Sequence, residues 1–149
     1  MAIAAVTAAD SISKLSVSGV TIKDLDEIPN GILSRDCPVI LPAPNFLEVA
    51  SIERDNLGSG TAAMWTFSYT LNYRLFYKQA GTERNIGSIY PTLIAKAMLF
   101  VDAIVANDNL TGVLDAEFGG ISGLGIVPDP SDKNFWGCDI QINIKEFIN

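Results

Sequence analysis

The chain has 149 residues, which is the size of one ordinary domain. Apolar residues make up 48% of it and charged residues only 18%, a balance that excludes a disordered or low-complexity chain. Acidic residues outnumber basic ones by 17 to 10, so the net charge is −7, and no basic run exists. We therefore expect neither sequence-specific nucleic-acid binding nor attachment to an anionic membrane.

Histidine is absent from the sequence, which excludes Ser-His-Asp and Cys-His catalysis and every His-ligated metal or haem site. Cys37 and Cys138 stand far apart and outside any Cys-x-x-Cys pair. Such lone thiols are typical of small core residues in a reducing compartment, although a disulfide between them stays open. We predict no cofactor and no metal ion.

The first third of the chain predicts one helix and short extended segments. Apolar residues at helical spacing predict an N-terminal helix within residues 1–15. A short strand is expected around Val20 and Ile22, and a turn is expected from there to Pro29.

Prolines bracket the next extended segment, residues 39–41. Because proline lacks the ladder N–H, this piece is expected as an edge strand or an extended segment over the core. A strand is predicted over residues 46–54, and a turn over residues 56–60.

Residues 65–77 carry the strongest pattern in the chain. Large apolar side chains alternate with Thr, Ser, Asn and Arg, and Phe76 is the one exception. This period of two predicts a long strand with one apolar face. The length of the strand predicts that one end projects as a ribbon, with a turn at residues 80–84 near it.

The second half predicts a helix, a long loop and another strand. A wide apolar stripe predicts the main helix over residues 90–107, with Pro91 in its first turn. The longest apolar stretch in this helix is too short, and too interrupted by charge, to span a bilayer. Many glycines and prolines predict a loop over residues 111–134, interrupted at most by a short strand. Alternation over residues 136–145 predicts a second half-buried strand.

Together these elements predict a single α+β domain over residues 1–149. We expect two layers, with an antiparallel sheet of about four strands, two helices packed on one of its faces, and a projecting β-ribbon.

Acidic residues near the predicted loops are the only catalytic candidates. They are Asp108, Asp115, Glu117, Asp129 and Asp132. Their spacing does not fit a calcium loop, and a two-carboxylate hydrolase would need two of them to converge. The aromatic face of residues 65–77 is interpreted as core rather than as a ligand platform. Charged residues at strand and turn ends form either a solvated rim or ion pairs between subunits.

Four segments stand out as a set: residues 22–29 (IKDLDEIP), residues 37–42 (CPVILP), the strand that contains YTLNYRL at 69–75, and the helix end at 105–109. In these segments and in the order of its elements, the chain resembles the tail-terminator and tail-completion proteins of long-tailed bacteriophages. The resemblance implies an α+β virion protein without catalytic residues. It also implies a hexameric ring that caps the tail tube and offers a surface to the neck below the capsid.

We therefore predict a non-enzymatic tail terminator, assembled in the host cytoplasm and located in the virion. Its expected partners are further copies of itself, the tail tube protein and a neck or connector protein, while DNA passes through the ring. The alternatives are a neck component or another minor tail protein, and a small ligand-binding domain or carboxylate enzyme.

The expected interface regions are residues 2–14, 79–84 and 119–129. The candidate interface residues are Arg54, Lys78, Gln79, Thr82, Glu83, Arg84, Phe118, Ile121, Leu124 and Asp129.

Overall fold

The fold is built around one long central strand. The computed structural model describes residues 2–55, 64–81, 86–106 and 114–148. Its elements, in chain order, are α1 (Ala2–Ser13), β1 (Thr21–Ile22), β2 (Val39–Asp55), β3 (Met64–Gln79), α2 (Ile86–Ala106), β4 (Leu114–Pro128) and β5 (Asn134–Ile148). The turn expected at residues 56–60 and most of the turn expected at 80–84 lie outside the described residues.

The strands form one mixed sheet with the order β1-β2-β3-β5-β4. The four long strands pair antiparallel, as predicted, and the fifth is the two-residue β1, which lies parallel to β2. The expected ribbon is not found in the described part of the sheet. β5 is 15 residues long and accompanies β3 from the pair Gln79–Phe135 to the pair Trp65–Ile148. β3 is therefore an interior strand over almost its whole length.

One face of the sheet, called here the helix face, packs against both helices. The side chain of Tyr73 is fully buried there, and its ring centroid lies 5.4 Å from those of Phe46 and Phe100. This burial confirms the predicted apolar face, and each large side chain removed from water contributes about 1.5–3 kcal/mol. Fully buried members from strands and helices include Ile12, Ile40, Leu71, Leu75, Leu93, Ile104, Ile140 and Ile142.

The opposite face, called here the open face, carries no helix in the described part of the chain. A second small cluster covers one end of it, where the connection between β1 and β2 lays Ile32 against Val39, Leu41, Phe76 and Phe135. Phe76, the one exception to the alternation of β3, belongs to this cluster. The break in the pattern therefore marks a residue that is buried on the other side of the sheet.

Helix α2 begins four residues earlier than predicted, at Ile86, so Pro91 lies inside the helix and not in its first turn. The proline removes the hydrogen bond to the carbonyl of Gly87, a loss that a position near the helix end tolerates. By length and composition, residues 87–106 are apolar enough to cross a membrane, with a mean hydropathy of 1.7. Leu93, Phe100 and Ile104 of this helix are fully buried against the sheet, as in the core helix of a folded domain.

The prediction of a long loop over residues 111–134 is wrong for most of that range, because residues 114–128 form β4. Its register against β5 shifts twice, beside Gly119 and beside Gly123. Gly123 has a φ of 64°, a conformation that favours glycine, and such bulges allow glycine-rich sequence to stay in an edge strand. Gly119 and Gly123 lie in these bulges, and the resulting shifts in alternation hid the strand from a period-two pattern.

Candidate assembly surfaces

Among the described residues, the outer edge of β4 has no strand neighbour along its length. β4 ends the sheet, and no described segment pairs with its outer side. Phe118 and Ile126 pair with helix-face residues of β5 and are 40% and 48% exposed. Charge on this strand comes only from Asp115 and Glu117, close to one end. A long, weakly charged edge with exposed apolar side chains is a template for strand addition.

An apolar stripe of α2 runs beside that edge. Ile94, Met98 and Val105 lie on one side of the helix and are 39%, 38% and 55% exposed. This side of the helix faces β4. Tyr90 lies one turn before Ile94, and its hydroxyl is 3.9 Å from the position that a Cβ on Gly125 of β4 would take. Together with the exposed side chains of β4, the stripe forms an apolar border, which is unusual on a free surface.

The second open edge belongs to β2, at the other end of the sheet. β1 covers only Val39 and Ile40, so residues 41–55 have no described neighbour on their outer side. β2 and β4 run in opposite directions, because three antiparallel pairings separate them. The two open edges therefore have matching polarity for head-to-tail antiparallel pairing between copies.

Polar side chains cover the exposed part of the open face. Arg74 of β3 forms an ion pair with Asp139 of β5, with Nε 2.7 Å from Oδ1 and Nη2 3.3 Å from Oδ2. The hydroxyl of Thr70 donates to Oδ1 of Asn143 at 3.1 Å. These cross-strand contacts hold β3 and β5 in register on a face that is open to water.

The predicted interface residues divide by location. The described side chains are those of Lys78, Gln79, Phe118, Ile121, Leu124 and Asp129, whereas the side chain of Arg54 and all of Thr82, Glu83 and Arg84 lie outside the described part. Phe118 and Leu124 are exposed on the β4 edge, and Ile121 is partly buried against the main core. Lys78 and Gln79 pair with Trp136 and Phe135 at the end of β3. Their role between copies stays a prediction.

Asp129 lies in the turn between β4 and β5 and is only 4% exposed. Its carboxylate accepts the buried amide of Ile32 at 2.9 Å, the amide and hydroxyl of Ser131, and the amide of Lys133 at 2.8 Å. Burial alone would raise the pKa of Asp129, but these hydrogen bonds outweigh it and hold the pKa below its usual value. This side chain fastens the β1–β2 connection to the sheet.

The described acidic candidates divide between the two ends of β4. Glu117 and Asp129 lie near opposite ends of β4, and Asp132 is exposed in the following turn. Asp108 and the side chain of Asp115 lie outside the described residues. Within the described ranges, no three His, Cys, Asp or Glu side chains come together as metal ligands.

Glu146 and Tyr69 are buried polar residues that were not among the predicted site residues. Both lie on the helix face, and they are 7% and 1% exposed. In the part of the chain that is described, neither the Tyr69 hydroxyl nor Oε2 of Glu146 has a hydrogen-bond partner. Burial, with a smaller contribution from the nearby Glu146, raises the pKa of Tyr69 to about 12. The alternation of β5, continued one residue past the predicted strand at 136–145, places Glu146 on the apolar face.

The two cysteines are free thiols, as expected from their isolation in the sequence. Cys138 is buried in the helix-face core, whereas Cys37 packs against the cluster on the open face. Burial raises the pKa of Cys37 to about 11 and that of Cys138 to about 12.

Comparison with known proteins adds no family to this description. No family model matches the sequence, and the curated proteins contain no significant match.

Proposed function

We propose that this protein is a non-enzymatic virion assembly protein, a tail terminator that forms a ring on the tail tube. The observation that carries the assembly part of this proposal is the pair of open edges on β4 and β2. The terminator part rests on the resemblance of residues 22–29, 37–42, 69–75 and 105–109 to that group of phage proteins.

The polarity of the edges is compatible with ring formation. When a second copy is placed beside β4 in the same orientation, its β2 edge arrives antiparallel to β4. The same operation repeats at every copy, because each copy leaves one β4 edge and one β2 edge free. Such heterologous contacts close into a ring when the rotation between copies fits. The apolar border beside β4 would be buried at the same contact.

The proposed ring would cap the last ring of tail tube protein and meet the neck on its other side. A chain with a net charge of −7 would not hold passing DNA by electrostatic attraction. A neck or connector component is the second candidate, since it would use the same edges and differ only in its docking position. An enzyme is not proposed, because the carboxylate of Asp129, which shares a turn with Asp132, already accepts hydrogen bonds from Ile32, Ser131 and Lys133.

Edge variants test the assembly step directly. Ile126→Lys places a charge beside the β4 edge, and Leu99→Lys is the matched control because Leu99 is 39% exposed on α2, outside the stripe that borders β4. We expect the wild-type chain and the control to sediment as the same oligomer. Ile126→Lys should weaken self-association about tenfold or more, which corresponds to about 1.4 kcal/mol. Equal association of both variants would refute strand addition at β4.

A further inference from the structure

A cleft of about 580 Å³ lies at one end of the open face. Its walls come from three parts of the chain. They are the 3-10 helix Leu25–Glu27 with Ile28 after it, residues 41–44 and 46 of β2, and the end of β4 at Pro128 with Asp129, Pro130 and Asp132 after it. Arg74 and Phe76 of β3 complete the lining. A volume of this size accommodates one or two large side chains of a bound segment.

The cleft is rigid and largely apolar. Pro42, Pro44, Pro128 and Pro130 all line it, and proline fixes its own backbone angle φ. β2 bulges at this point. Pro42 pairs with Tyr73 of β3, the next paired residue of β2 is Leu47, and the residues between them are unpaired with β3. A bulge re-aims the backbone and is typical of functional sites at sheet edges. Little ordering of the walls is therefore needed when a ligand binds.

Charge around the cleft is negative. Asp129 and Asp132 belong to the described lining. Just outside it, the acids Asp26 and Glu27 follow Leu25 and the cation Lys133 follows Asp132, so acids outnumber cations there too. Arg74 is the cation among the described lining residues. Its charge is balanced by an ion pair with Asp139, which does not line the cleft. The electrostatic balance therefore favours a positively charged occupant over a negatively charged one.

We propose that this cleft binds a peptide segment of a partner protein, in which an apolar side chain fills the proline-walled cavity and adjacent Lys or Arg side chains face the acidic rim. The site lies beside the β2 edge and away from the α2 stripe that borders β4. Because residues 41–46 of β2 belong both to the cleft and to an edge of the proposed ring, peptide binding is measured at a concentration where the oligomeric state of the chain is known.

The test uses acetyl-Lys-Leu-Lys-amide as the probe and two-dimensional ¹H–¹⁵N NMR of the whole chain as the readout. We expect saturable shifts of amides around the cleft, such as those of Leu25, Ala43 and Phe76. The charge-reversed peptide acetyl-Glu-Leu-Glu-amide should bind at least about threefold more weakly, and acetyl-Lys-Ser-Lys-amide should not saturate.

Two variants assign the shifts to the cleft. Ile28→Lys places a cation on the rim, where the native side chain is 43% exposed, and we expect it to abolish binding of the cationic peptide. Leu33→Lys is the matched control, since Leu33 is 47% exposed in the same connection but outside this cleft, and it should bind like wild type. The proposal would be overturned if the Lys-Leu-Lys and Glu-Leu-Glu peptides bound equally well, or if the Lys-Leu-Lys peptide gave no saturable shift. Unchanged binding of the Lys-Leu-Lys peptide by Ile28→Lys would also overturn it. Without peptide, concentration-dependent shifts of Leu25 and Phe76, which lie off the β2 edge, would assign the cleft to a second copy and also overturn it.

Discussion

Replacing Asp129 by Asn breaks one defined contact between the β1–β2 connection and the sheet. Oδ2 of Asp129 accepts the buried amide of Ile32, whereas Oδ1 accepts the amides of Ser131 and Lys133. An asparagine that keeps its oxygen at the Oδ1 position preserves the local turn. Its NH₂ group then faces the Ile32 amide, so two donors oppose each other in a buried place.

The expected cost follows from that geometry. Leaving a buried N–H unpaired costs about 1–3 kcal/mol, and the loss of a charged acceptor raises the total to about 2–4 kcal/mol. This is a large part of the roughly 5–15 kcal/mol that stabilises an ordinary domain. Asp132→Asn is the matched control, because Asp132 is exposed in the same turn and Asn tolerates its φ of 65°. We expect its effect to stay within about 0.5 kcal/mol.

Urea unfolding at several pH values measures both effects. The folded pKa of Asp129 lies below its usual value of 3.8, so its contribution is complete above that value and is lost as the pH falls through the folded pKa. The stability difference between wild type and Asp129→Asn should therefore be largest near neutral pH and shrink below about pH 4. Equal stability of the two proteins at pH 7, or a difference that does not shrink in acid, would refute this reasoning.

Three further predictions concern the sheet and the thiols. Gly137→Ala should lower the free energy of unfolding by about 3 kcal/mol or prevent folding, because a Cβ there would overlap a backbone carbonyl of β3, and thermal unfolding checks this. A double-mutant cycle of Arg74→Ala and Asp139→Ala should give a coupling energy of about 0.5–1 kcal/mol, and no coupling would contradict the ion pair. At pH 8, Cys37 and Cys138 of the folded protein should react with a disulfide reagent far more slowly than the same thiols in the unfolded chain, because burial raises the pKa of both. Fast reaction of either thiol in the folded protein would contradict its buried position.

The strands with a regular pattern could be predicted from the sequence. β3 and β5 are found where period-two alternation predicts them, since one face of each is buried along most of its length. β2 unites two segments that its prolines separate in the sequence, and the bulge beside Pro42 explains how a strand tolerates them. β4 was missed because bulges beside Gly119 and Gly123 shift its alternation, and local patterns do not reveal strand neighbours.

The candidate surfaces were predicted only in part. The glycine-rich region was expected to contain interface residues, and the structure exposes Phe118 and Leu124 there on an open edge. Val105 is 55% exposed, because the apolar stripe of α2 is wider than the contact of the helix with the sheet. The cleft joins segments near residues 25, 44 and 130, and only the folded chain brings these together.

The central claim is that copies of this chain form a ring that ends a tail tube. The most direct measurement is light scattering on the purified chain, followed by negative-stain imaging with its cognate tail tubes. The account predicts a complex of about six copies, close to 96 kDa for a chain of 16.0 kDa, or added density at one end of each tube. A chain that stays monomeric at every concentration and leaves both tube ends bare would contradict it.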